Sequence, residues 1–122
     1  MSIQRISIIS IPVSDQDAAR TFYTDKLGFE VVRDNPMGDG NRWVELKPPH
    51  AETSITLVTW FEDMPPGSLD GMVLETGDLS EEHRQLVDRG LKISEIDEAP
   101  WGRFATFMDP DGNGWVLQES AT

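Results

Sequence analysis

The chain has 122 residues, no cysteine, and 22 acidic against 10 basic residues, for a formal net charge of −12 at neutral pH. That length suits one domain with a real core, and the lack of cysteine excludes disulfides, thiolate metal sites and a thiol nucleophile. The charge argues against nucleic-acid or anionic-membrane partners, both of which want basic patches.

In chain order, a strand is predicted from Ile6 to Val13. Arg5 and Pro12 interrupt this apolar start, so it reads as a strand rather than a signal peptide, and no later stretch is long enough to span a membrane. The expected setting is the cytoplasm. Ser14-Asp15-Gln16-Asp17 resembles a capping box and opens a helix from Asp15 to Leu27, striped by Ala19, Phe22, Tyr23 and Leu27 and stopped by Gly28. A strand follows from Phe29 to Arg33. Period-two alternation then marks strands over Arg42 to Lys47 and Thr53 to Thr59. Glu62 to Asp70, with Pro65-Pro66-Gly67-Ser68, reads as a linker.

The pattern then repeats. A strand from Met72 to Thr76 precedes a helix from Leu79 to Arg89, capped by Asp78 or Ser80 and stopped by Gly90, and a strand from Leu91 to Ile96. Strands over Arg103 to Met108 and Gly114 to Gln118 close the chain around the turn Asp109-Pro110-Asp111-Gly112-Asn113. Asp15 corresponds to Asp78, Gly28 to Gly90, Arg42-Trp43 to Arg103-Phe104, and Leu57 to Leu117. The separation stays near half the chain length, so the expected class is α+β, built from two tandem βαβββ modules: module 1 about 3–61, linker about 62–70, module 2 about 71–120.

Two motifs carry a family resemblance. Ile11-Pro12-Val13-Ser14-Asp15 with Ala18-Ala19, Phe22-Tyr23 and Leu27-Gly28-Phe29 is similar to the opening of the vicinal oxygen chelate superfamily, which includes glyoxalase I, extradiol dioxygenases, fosfomycin-resistance enzymes and bleomycin-binding proteins. Asp109-Pro110-Asp111-Gly112-Asn113 resembles its closing turn. The resemblance implies curved mixed sheets around a cavity, a divalent metal held by one side chain from each of four strands, and homodimers. Carried over position by position, the four ligand sites are Ile8, Thr56, Met72 and Val116, none of them a good ligand for such an ion. A register shift of one residue offers Ser7 or Glu75, and His50 and His83 fall off the cavity strands. The expectation is therefore no metal and no cofactor.

What remains is an apolar, aromatic pocket. If Val44 and Leu46 pack under the first helix, alternation leaves Trp43 and Glu45 on the concave side, and the repeat places Phe104, Thr106 and Met108 likewise. Arg42 and Arg103 are expected near the rim, offering planar forks to an acidic or carbonyl-rich ligand, or else pairing with surface carboxylates. The glycines of Met37-Gly38-Asp39-Gly40 and Trp101-Gly102 suggest closing loops. The candidate ligand-binding set is thus Arg42, Trp43, Thr56, Met72, Trp101, Arg103, Phe104 and Thr106. Glu45 is a candidate general base, or a carboxylate salt-bridged to Lys47 or an arginine. The expected function is metal-free binding of a small aromatic or polar ligand; the alternative is a lyase-like or dioxygenase-like enzyme with a non-standard metal site or a Glu45 base.

Overall fold

On the two central strands of the first module, alternation turns Val44 and Leu46, and Ile55 and Leu57, to one face, against which the first helix packs. The computed structural model describes residues 2–120 and forms two units, Met1–Pro66 and Gly67–Thr122. In the first, β1 (Ile8–Pro12), α1 (Gln16–Thr21), β2 (Glu30–Gly38), β3 (Asn41–Lys47) and β4 (Ser54–Val58) build a four-stranded sheet in the order β1-β4-β3-β2. β1 runs parallel to β4 and the other neighbours are antiparallel. In the second, β5 (Met72–Glu75), α2 (Leu79–Asp88), β6 (Asp97–Ala99), β7 (Gly102–Met108) and β8 (Gly114–Ser120) repeat that topology in the order β5-β8-β7-β6. The fold is α+β, with two mixed sheets and tandem modules, as the repeat implies.

In the first unit Ile11, Val44, Leu46, Leu57 and Tyr23 are all 0% exposed, Ala19 is buried with them, and α1 packs against β3 and β4. Gln16 fixes the helix start, donating from Nε2 to the carbonyl oxygens of Arg42 (2.7 Å) and Leu57 (2.8 Å). Asp15, not Ser14, is the cap: its Oδ1 accepts from the amides of Asp17 and Ala18. After Thr21 the α-helix widens into a π-helical turn, Phe22–Lys26. There the Thr24 hydroxyl donates to the Arg20 carbonyl oxygen at 2.9 Å, the acceptor that a regular turn would give the Thr24 amide. Gly28 (φ +75°) and Gly90 (φ +88°) end the helical segments in the left-handed region.

Three expectations need correction. β2 reaches Gly38 instead of ending at Arg33, because it is an edge strand on which Pro36 costs no ladder bond. Its end, Met37-Gly38-Asp39-Gly40, is a tight hairpin into β3, with three consecutive positive φ angles, rather than a closing loop. The strand from Leu91 to Ile96 is reduced to one bridge, Ile93 to Phe107, and pairing moves to β6. Ser94 is the reason: its hydroxyl accepts from the Thr106 amide at 2.8 Å, replacing a backbone acceptor.

The closing turn is built as its composition implies. Asp109 Oδ1 accepts from the amides of Asp111 (3.0 Å) and Asn113 (2.9 Å), while Asn113 Nδ2 donates to Asp109 Oδ2 (2.8 Å). Asn113 Oδ1 in turn accepts from the Leu69 amide at 3.1 Å, and the Gly114 amide donates to the Leu69 carbonyl oxygen at 2.9 Å. The far end of the expected linker is therefore strapped to the second unit.

Candidate functional site

Strand pairing lays a polar row across the face of the first sheet that turns away from α1. Ser10 lies opposite Thr56, Thr56 opposite Glu45, and Glu45 opposite Arg33, one residue from each of the four strands. A bulge between Val31 and Arg33 brings Arg33 into this row. Glu45 is only 6% exposed and Thr56 1%. Trp43 shares the face, two residues along β3, and its indole Nε1 donates to Glu45 Oε1 at 3.0 Å. Arg33 Nε stands 3.6 Å from the same oxygen. The pairing of Glu45 with an arginine thus holds, through Arg33. Lys47 turns instead to the Ala51 carbonyl oxygen at 3.2 Å.

Thr56 Oγ1 is a buried polar atom with no hydrogen-bond partner among the described residues. Such a group carries its full desolvation cost, about 1–3 kcal/mol. Sequence reasoning reached Trp43, Glu45 and Thr56 but missed Ser10 and Arg33. Arg33 stands at the predicted strand end, and no residue type announces the bulge that reorients it.

Arg42 and Arg103 are placed on the other faces. Arg42 shares parity with Val44 and Leu46, so it points toward α1. Its Nε and one terminal nitrogen each donate to Asp34 at 2.7 Å, and the other terminal nitrogen donates to Asp17 at 2.7 Å. Arg20 also pairs with Asp34. Hydrogen bonding from Arg42, supported by Arg20 and opposed by burial, lowers the Asp34 carboxyl from 3.8 to about 2. The same contact with Asp34, then that with Asp17, raises the Arg42 guanidinium. Arg103 stands opposite Glu119 and donates to Glu119 Oε2 (3.4 Å) and the Ser80 hydroxyl (3.1 Å), while Glu119 Oε1 accepts from the Leu79 amide (2.8 Å). The two related arginines clamp helix starts to sheets. Alternation explains why they leave the expected rim.

On the second sheet, the face turned away from α2 carries Phe104, Thr106 and Met108 of β7 and Val116 of β8. Trp101 stacks on Phe104 with ring centroids 5.4 Å apart and planes at 25°. Thr106, Met108, Val116 and Lys92 help line a cleft of about 600 Å³ within this unit. Met72 departs from expectation: it pairs with Trp115, so it lies on the face shared by Leu117, opposite to that of Val116. Val73, 53% exposed, takes the place beside Val116. The repeat itself stays in register, Ser10 corresponding to Val73 as Asp15 does to Asp78; it is the placement of a ligand position at Met72 that is out by one residue.

The donor set therefore does not fit a divalent ion. Ile8, Thr56 and Val116 supply no imidazole or carboxylate, and Met72 faces the wrong way. Among the described residues, no three of His, Cys, Asp or Glu gather at metal-binding range.

Comparisons with known proteins agree with this architecture. A sequence model of the Glyoxalase/Bleomycin resistance protein/Dioxygenase superfamily matches residues 5–117. The protein YetH of Bacillus subtilis (strain 168) is 34% identical over 121 residues, covering 96% of this chain and 99% of its own. The crystal structure of TnmS3, an antibiotic binding protein from Streptomyces sp. CB03234, superposes with a TM-score of 0.94 at 42% identity, over 99% of each chain. A superfamily member from Sphaerobacter thermophilus DSM 20745 gives 0.89 at 36% identity, covering 98% of this chain and 100% of its own. With its tandem modules, its two mixed sheets and this match over nearly all its length, the chain belongs to the Glyoxalase/Bleomycin resistance protein/Dioxygenase superfamily.

Proposed function

We propose that this protein binds a small aromatic or polar-aromatic molecule without a metal, sequestering or carrying it. The observation that carries this reading is the replacement of the metal-ligand positions. Ile8, Thr56, Met72 and Val116 occupy the positions where the family resemblance implies ligands, and the chain has aromatic groups suited to a flat organic molecule: Trp43 next to Glu45, and the Trp101–Phe104 stack. Similarity to an antibiotic binding protein supports the same class of function. In this reading the chain works in the cytoplasm as a homodimer, which the exposed apolar side chains Ile9, Phe61 and Met108 support.

A screen of polycyclic aromatic antibiotics by tryptophan fluorescence and thermal shift, on chelator-treated protein, tests this reading. Saturable binding near one ligand per chain is expected. Turnover of any of these compounds, or binding that needs added metal, would replace it with the enzyme reading. Light scattering on the same sample checks the dimer.

A further inference from the structure

The polar row on the first sheet has a chemistry opposite to that expected from the two arginines. Arg42 and Arg103 are committed to helix-side carboxylates, and the charge at the centre of this face is the carboxylate of Glu45. Both close donors to Glu45, Trp43 Nε1 and Arg33 Nε, meet Oε1. Oε2 has no hydrogen-bond partner among the described residues. Directly across the strand pair, Thr56 Oγ1 is also unpartnered at 1% residue exposure. Opposed residues on neighbouring antiparallel strands hold their Cβ atoms about 5 Å apart, close enough for one polar atom to bridge both side chains.

We infer that Glu45 Oε2 and Thr56 Oγ1 form a subsite for a hydroxyl of the ligand, so that the protein selects phenol-like or alcohol-bearing aromatics and rejects anionic ones. This rests on the binding reading above and names its ligand class. A ligand hydroxyl is the group that completes both partners: its proton goes to the carboxylate oxygen, and its lone pair accepts from the threonine hydroxyl. An ether oxygen meets the threonine but leaves the carboxylate unpaired, and a carboxylate on the ligand faces Glu45 with like charge. At such low exposure, an unpaired polar group discriminates strongly against an analogue lacking its complement. Arg33, exposed and loosely held, is the side chain free to swing aside for entry. Trp43, bonded to the same carboxylate, is placed to report on occupancy.

Calorimetric titration with three matched probes tests the subsite: 2-naphthol, 2-methoxynaphthalene and 2-naphthoate. The expected order is naphthol at least tenfold tighter than the ether, with naphthoate weakest. In Glu45→Gln the preference for naphthol over the ether should shrink several-fold, and in Thr56→Val both probes should bind several-fold more weakly, since both lose the threonine donor. Equal affinity for naphthol and the ether, or a preference unchanged in Glu45→Gln, would overturn the subsite and leave the binding reading standing. Failure of all three probes to bind would count against the binding reading, and against the subsite with it.

Discussion

Two side chains of the first sheet hold opposite positions in the stability of the molecule. Thr56 carries an unmatched hydroxyl in a buried place. Thr56→Val keeps the shape and removes the orphan, so it should raise stability by about 1 kcal/mol, a gain of roughly 4 °C in melting temperature by calorimetry. Asp34 is the reverse case, held by Arg42 and Arg20. Its carboxyl titrates near 2 in the folded state against an ordinary 3.8. A depressed carboxyl contributes stability above its unfolded value and loses it as pH falls through the folded one. Asp34→Asn should therefore cost about 1–2 kcal/mol near neutral pH, discounted because Arg42 is partly exposed. Its stability should also fall less steeply than wild type between pH 4 and pH 2. An acid limb of unchanged steepness in the variant would show that this cluster does not set it.

At the scale of elements, much was legible because the signals were local. The cap at Asp78, the stops at Gly28 and Gly90, and the Asp109–Asn113 turn each depend on residues a few positions apart; the first cap was read one residue early, at Ser14 instead of Asp15. The alternation of Val44 and Leu46 against Trp43 and Glu45 likewise fixed which face of β3 meets α1. Hidden features needed non-local contacts: the bulge that turns Arg33 and the Ser94 hydroxyl that interrupts a ladder. The misplacement of Met72 was avoidable, since the Asp15–Asp78 spacing already sets Val73, not Met72, on the face of Val116. The arginines were legible in principle, since Arg42 and Arg103 have the parity of the buried residues Val44 and Ala105. Arg103→Ala should lower stability by about 0.5–1 kcal/mol through the loosened start of α2, measured by urea melt. Ligand affinity should stay within twofold; a large loss of affinity would return this arginine to the binding site.

The strap between the former linker and the closing turn makes a sharper element-level test. Gly67 has φ +80°, and a Cβ there would lie 2.1 Å from the Asp111 carbonyl oxygen. Gly67→Ala combines left-handed strain with a backbone clash, so it should cost at least about 2 kcal/mol. A melting temperature equal to that of wild type would mean the strap yields without cost.

At the scale of the whole molecule, a net charge of −12 surrounds sheet faces rich in aromatic side chains. That field disfavours anionic ligands at low salt and complements the Glu45 carboxylate. The chain has the fold of the Glyoxalase/Bleomycin resistance protein/Dioxygenase superfamily, and at the positions where the family resemblance implies metal ligands it carries Ile8, Thr56, Met72 and Val116. The most direct test is a tryptophan-fluorescence titration with the aromatic antibiotics that bind in the screen, run in EDTA and again after loading with zinc or manganese. The account predicts the same saturable curve in both, with less than one metal ion per several chains by plasma mass spectrometry. Binding seen only after loading, with one ion firmly held per chain, would contradict it.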